Sequence, residues 1–530
     1  MATMTGTAGG DLLQGDREDD VLRGLAGADT LYGEFGGDVL EGGPGNDLLD
    51  GGAWLFDMAS YANANGAVSV NLTALSPQAV GADQGVDTLV SIEGLIGGRF
   101  NDTLIGDNYD NSLMGGDGDD SLRGGPGRDQ LDGGAGNDVL DGGDWFFNTA
   151  VYTSASGGVT VDLRIAGPQS VGGGHGVDTL INIANVTGGA YGDVLIGDDE
   201  ENNLRGEGGD DTLVAGRGFS GDLLGGEGND SLLGGSDYDV LMGDDGRDTL
   251  QGSEGDDILF GGAGSDLLIG GSGRNALSGN DGDDFMIDAS QPSSGGAGND
   301  TIQADASGPE IYADEGDDSV LGGDGRDILR GGAGADALLG GAGNDVVDGG
   351  EGRGFLRGEA GDDSLLGGGE FDDMHGNMGN DTAHGNAGDD WVVGGKDDDL
   401  LYGDAGGDIV YGNLGNDTQF GGDGFDWVRG GQGNDSLDGG AGDDWLWGDR
   451  GDDTVTGGAG ADMFHIFSGA GLDRVTDFNY AQGDRVIIDY GTYTVTQVGS
   501  DTVIDLGGGD SMVLVGVTAS SLPVGWITTL

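Results

Sequence analysis

The chain has 530 residues, 124 of them Gly, and its 97 acidic against 19 basic residues leave a formal charge of −78. So few cations exclude a phosphate-tracking role on nucleic acid and disfavour anionic membrane surfaces, and the lack of Cys excludes disulfides and thiolate metal sites. The acids divide into 83 Asp and 14 Glu, a composition that argues against a mostly helical protein.

Residues 1–11 are small and polar, with neither a basic n-region nor an apolar h-region, so no Sec-type signal is expected. From Gly6 the chain reads GTAGGDLLQ, GDREDDVLR, GLAGADTLY, GEFGGDVLE, GGPGNDLLD, five nine-residue rows without a gap. A 46-residue segment, 51–96, breaks the phase. Five more rows fill 97–141, and a second 46-residue segment covers 142–187. The two segments align without gaps through Trp54 and Trp145, Phe56 and Phe147, Tyr61 and Tyr152, Pro77 and Pro168, and a shared GVDTL. Residues 6–96 and 97–187 are thus read as a tandem duplication. In each insert an alternating run (VSVNL, VTVDL) predicts a strand, and the Trp reads as part of an aromatic plug in a wider coil, with a ligand pocket there as the alternative. Ten further rows lie within 188–294, and nineteen run unbroken over 295–465. Beyond His465 the phase fails, and the alternation from Leu472 onward predicts the strands of a C-terminal β cap over 466–530. The longest apolar stretches are too short to span a bilayer.

Two positions of the row are held in phase. Position eight is apolar in 38 of 39 rows, the exception being Gln419, and position six is Asp in 34. In the duplicated region those are Asp11, Asp20, Asp29, Asp38, Asp47, Asp102, Asp120, Asp129 and Asp138. The middle rows give Asp193, Asp211, Asp230, Asp239, Asp248, Asp257, Asp266 and Asp284. The long block gives Asp300, Asp318, Asp327, Asp336, Asp345, Asp363, Asp372, Asp381, Asp390 and Asp399. It continues with Asp408, Asp417, Asp426, Asp435, Asp444, Asp453 and Asp462. Gly and Asp in the first six positions demand a turn, and x-Leu-x in the last three gives a short strand with one inward side chain. Two rows make a coil of 18 residues whose strands face each other across a thin apolar core. The predicted fold is all-β, a right-handed parallel β-roll, or solenoid, ending in the β cap.

Rows such as GGAGNDVLD at Gly133 and GGQGNDSLD at Gly430 resemble the RTX (repeats-in-toxin) family, whose nonapeptide forms a calcium-binding β-roll. The resemblance implies a Ca²⁺ ion between each turn and the turn one coil later, held by the position-six carboxylates and turn carbonyls. The chemistry of the row agrees, because hard oxygen donors on flexible turns suit Ca²⁺, while four His and no Cys do not suit zinc. If each ion needs two stacked turns, the blocks hold about 29 ions, or about +58 against the −78. The tail from Leu472 resembles the cap and uncleaved type I secretion signal of RTX proteins. The type I secretion machinery is then a partner and the location is secreted, extracellular or cell-surface.

No HExxH, GxSxG or P-loop motif occurs, and rows beginning at Gly6 leave little room for a catalytic domain, so the expected function is non-enzymatic. His375 and His384, nine apart, fall on opposite sheets facing outward. A structural or adhesive role at the cell surface or in extracellular matrix is the leading expectation. The alternatives are a polysaccharide-binding or polysaccharide-active protein and a calcium-responsive accessory to another secreted factor. Residues 18 apart share a sheet, so outward positions of one face carry Trp391, Tyr411, Trp427, Trp445 and Trp447, while the opposite face reads largely polar. That stripe is a candidate surface for a second copy or a glycan, or else the seat of the folded-back tail.

Overall fold

Each row folds as its composition dictates: glycines and Asp turn the chain, and the apolar triplet pairs in parallel with the triplet one coil away. A computed structural model describes residues 3–53, 56–81, 83–144, 147–217 and 221–529. Trp54 and Trp145, on which the plug and pocket readings rest, lie outside the described residues. Among those residues the protein is all-β apart from the single 3₁₀ turn Ala519–Ser521. Among the described residues no helix is long and apolar enough to cross a membrane. Two units are distinguished, Met1–Gly262 and Ala263–Leu530.

In the first unit the opening rows pair at a spacing of 18, Leu22 with Leu40 on one sheet and Leu31 with Leu49 on the other. The 46-residue segments keep these stacks going. Ala59 continues the Leu40 stack and Leu89 continues Leu49, and Val70 starts a stack that passes to Leu104. The second copy repeats the plan with Ala150 on Leu131, Leu180 on Leu140 and Val161 under Leu195. Tyr61 and Tyr152 are buried in equivalent places, their hydroxyls donating to Asp87 and Asp178 at 3.2 and 3.3 Å.

In the second unit the coil up to His465 is 18 residues long except at 288–294, where Phe285 pairs with Thr301 and a register shift falls at Ile287/Ala289. The row there is two residues short, and Asp288 takes a φ of +61° to close it. Strands in this unit are longer than the expected triplets, as in Trp391–Lys396 and Trp427–Gln432. The reason is local. Position two is left-handed (Gly395 at +129°, Gly431 at +117°), which returns the chain to pairing after one skipped residue.

The core is one file of position-eight side chains per sheet, such as Leu329, Leu338, Val347 and Leu356, all fully buried. Each fully buried Leu or Val contributes about 2 kcal/mol, so a 9-residue row with one such residue is thinly supported by burial alone. Gln419 occupies the same file at 0 % exposure and donates from Nε2 to the Arg429 carbonyl at 2.8 Å. Past His465, Leu472–Val475 pairs with Asp510–Leu514 and Arg485–Ile488 with Ile527–Thr529, closing both sheets.

Candidate metal centre

The phased Asp residues form columns, one carboxylate above another, and the backbone explains why. At position six the N–H faces the next coil, and the carboxylate 18 residues on accepts it through Oδ1. Asp381 N–H meets Asp399 Oδ1 at 2.9 Å, Asp399 meets Asp417 at 2.9 Å and Asp417 meets Asp435 at 2.9 Å. The opposite column runs Asp390, Asp408, Asp426, Asp444 and Asp462 with bonds of 2.8 to 3.1 Å. All 34 Asp lie at such positions; Asp11, in the first row, is only half-buried, and the rest are buried.

The second oxygen is what matters for a ligand. In more than twenty of these Asp, among them Asp381, Asp399, Asp417 and Asp435, Oδ2 is buried and accepts no hydrogen bond. Pro309, which has no N–H to give, leaves Asp327 with neither oxygen satisfied. The space beside Oδ2 is kept open by glycine. A Cβ on Gly403 would strike both Asp408 Oδ2 and the Gly421 carbonyl oxygen one coil on. Buried carboxylate oxygens without donors are costly, and stacked like charges raise the cost. Burial first, and then the charges of Asp381 and Asp417, push Asp399 up to about 8. Burial likewise pushes Asp381 and Asp390 up to about 7 and Asp417 to about 6.

The donor set fits a hard divalent cation. No group of three or more His, Asp or Glu side chains gathers among the described residues, so such an ion would complete its shell with backbone carbonyls. Carbonyl oxygens crowd the same turns: a Cβ on Gly422 would strike the Asp404 carbonyl oxygen of the coil before.

Proton competition follows with a definite sign. The raised carboxylates bind protons in the cation-free fold near pH 6 to 8 but, unfolded, only near the usual 3.8. Protonation therefore stabilises the cation-free roll at low pH, and that contribution is lost as pH rises through 6 to 8. Between pH 8 and 6 neither the unfolded chain nor the calcium-bound roll holds these protons, so the calcium concentration at the folding midpoint should not rise as pH falls over that range, while chelated protein should gain β circular dichroism as pH approaches 4. Chelated protein that gains no β signal between pH 7 and pH 4 would contradict the buried-carboxylate picture.

Several residues in the same role escape the nine-residue phase. Asp57 and Asp87 accept the Asp38 and Asp47 amides at 2.8 and 3.0 Å, and Asn148 and Asp178 do so for Asp129 and Asp138 at 3.0 Å. Ser290 Oγ accepts the Asn275 amide at 2.5 Å in the short row. In the cap Asp484 accepts from Asp462 at 3.3 Å, and Asp473 is buried against Asp453. The shared VDTL of the two inserts was the available signal for Asp87 and Asp178.

The aromatic stripe is placed in register on one sheet: Trp391, Ile409, Trp427, Trp445 in one file and Val393, Tyr411, Arg429, Trp447 in the next. Trp391 and Trp427 are each 44 % exposed, so the tail does not cover them; Tyr411, Trp445 and Trp447 are half-buried. Trp427 and Trp445 stack face to face at 5.4 Å and 2°, and Trp447 stacks on His465 at 4.0 Å. The facing sheet carries a shorter ladder, His384, Tyr402 and Phe420, stacked at 4.2 and 4.9 Å, where the sequence read as largely polar. His375 and His384 lie on different sheets, each 3.0 Å from a carboxylate, Asp373 and Asp404.

The profile of the RTX calcium-binding nonapeptide repeat matches residues 5–53, 96–144, 187–220, 224–286, 294–308 and 312–475, well over half of the chain. No curated protein matches it. Among solved structures, the extracellular lipase LipA from Serratia marcescens is similar over 41% of this chain and 40% of its own length, at 16% identity and a TM-score of 0.16. Repeats of the matched family bind Ca²⁺ in general. The chain belongs to the RTX calcium-binding nonapeptide repeat family.

Proposed function

We propose that the protein is a secreted, non-enzymatic calcium-binding roll with a structural or adhesive role at the cell surface or in extracellular matrix. The observation that carries this reading is the column of buried, donorless Oδ2 atoms, repeated coil after coil. Each of the 34 phased Asp is assigned as a ligand, joined by Asp57, Asp87, Asp178, Asp473 and Asp484, with Ca²⁺ supplying the countercharge that the carboxylates lack. About 29 ions satisfy the block arithmetic. Export by a type I system from residues 472–530 suits a chain that folds only where calcium is plentiful. Residues 6–96, 97–187, 188–294, 295–465 and 466–530 are proposed as the successive structural segments.

The stripe is assigned to self-association. Trp427 and Trp445 turn their faces to each other, as do Trp447 and His465, which leaves fewer free Trp faces for sugars to stack on and favours an apolar contact. Sedimentation in calcium should show a dimer or larger species. Trp427→Ala should shift it to monomer without moving the calcium midpoint, since Trp427 is half-exposed and outside the core file. A wild-type monomer at high concentration in calcium would remove the self-association reading.

A further inference from the structure

Beside the stripe, a cavity of about 330 Å³ opens on the outer face of three neighbouring strands. Tyr411 and Phe467 contribute aromatic surface, Asn413 and Gln432 contribute amides, and Arg429, Asp449 and Arg450 contribute charge. Between residues 391 and 465 the only cations are Lys396, Arg429 and Arg450, so two of three converge here.

The polar groups divide into a fixed pair and an uncommitted set. Arg429 holds Asp449 through Nε at 2.5 Å and Nη2 at 3.3 Å, and its guanidinium lies 5.4 Å from the Tyr411 ring centre. Asp449 is thereby pinned and neutralised. Among the described residues, by contrast, no side-chain hydrogen bond engages Asn413, Gln432 or the Tyr411 hydroxyl, and no carboxylate lies within ion-pair distance of Arg450. Asn413 stands at position two with φ +77°, where glycine is the usual residue of the repeat.

We propose that this cavity binds one or two units of a neutral glycan. Two amides offer donors and acceptors together, as paired hydroxyls require, and the Arg429–Asp449 pair offers both as well. Tyr411 and Phe467 give a small apolar edge for a sugar ring beside a mostly polar lining, and the size falls at the small end of ligand pockets. A polyanion is disfavoured by the chain's charge of −78, which about 29 divalent ions leave still negative. The inference rests on the extracellular, adhesive reading above and gives it a ligand class.

The test is calorimetry on the calcium-loaded full chain. The probes are short oligosaccharides of glucose, mannose, xylose and N-acetylglucosamine, with oligogalacturonate as the acidic comparison. One neutral series should bind, and Asn413→Gly and Gln432→Ala should each weaken it about tenfold, the worth of one hydrogen bond. Asn413→Gly restores the residue the repeat prefers, so the calcium midpoint should be unchanged or lower. A folded protein that binds none of the neutral series, binds only galacturonate, or binds equally well in both variants overturns this inference alone. A chain that stays unfolded in calcium overturns the parent reading and this one together.

Discussion

Calcium added to the chelated chain will convert a coil circular dichroism spectrum at neutral pH into a β spectrum, and chelator will reverse it. The expected effect is the whole of the folded signal. Each row buries one apolar side chain yet must order nine residues, about 1–2 kcal/mol of backbone entropy apiece. The turns meanwhile bury carboxylates whose Oδ2 atoms have no donor. Neither deficit closes without countercharge inside the stack, so cation binding and folding are one reaction. Extracellular calcium modules work at about 10⁻⁴–10⁻³ M, and the midpoint should fall there. Position in the stack sets the size of mutational effects. Asp417 receives the Asp399 amide and gives its own to Asp435, whereas Asp11 is half-exposed and gives only to Asp29. Asp417→Ala should flatten the calcium titration far more than Asp11→Ala. A fully folded spectrum in excess chelator at neutral pH, or equal effects of the two substitutions, would defeat the stacked-ion account.

Deletion of residues 472–530 should leave the protein inside the cell and should raise the calcium midpoint of what is purified. The first effect follows from the export reading, the second from packing. Phe464, fully buried, lies 6.0 Å from Phe478, which in turn lies 6.1 Å from Trp526. Val455 is covered by Val475, and Phe464 by Val486. Without these residues the end of the file is open to water, at about 25 cal/mol per Å² of apolar surface. Terminal repeats of solenoids need such caps. Immunoblots of cells and culture medium read the first effect; secretion of the truncated chain at the normal level would refute the export assignment.

The repeat made most of the fold readable, because phase alone separates turn from strand and inside from outside. Leu329 and Asp327 are assigned by counting. Counting fails where a residue fills the same station from another distance in the chain. Asp87 reaches Asp47 across 40 residues and Asp484 reaches Asp462 across 22, so no fixed period reveals them. Ser290 takes the station in a row two residues short, with a hydroxyl instead of a carboxylate. Chemistry between coils was equally hidden. That Gln419 would meet a carbonyl from inside the core, or that His384, Tyr402 and Phe420 would stack, depends on side-chain rotation, about which spacing says nothing.

The column of Asp amides has a grain. Position-six N–H groups donate toward the C-terminus, as from Asp20 to Asp38 in the first unit and, in the second, from Asp462 to Asp484 in the cap. The phased Asp amides are thus met from the C-terminal side, whereas position-five amides such as those of Gly407 and Asn416 donate back to Asp389 and Asp398 one coil before, and the last Asp amide, that of Asp462, is met by the cap. For the Asp column alone, the cap is the acceptor at which the series ends. A chain leaving a cell tail first would deliver that acceptor before the Asp amides that need it. Each position-six amide emerging afterwards would find its acceptor already standing, with no wait for the far terminus.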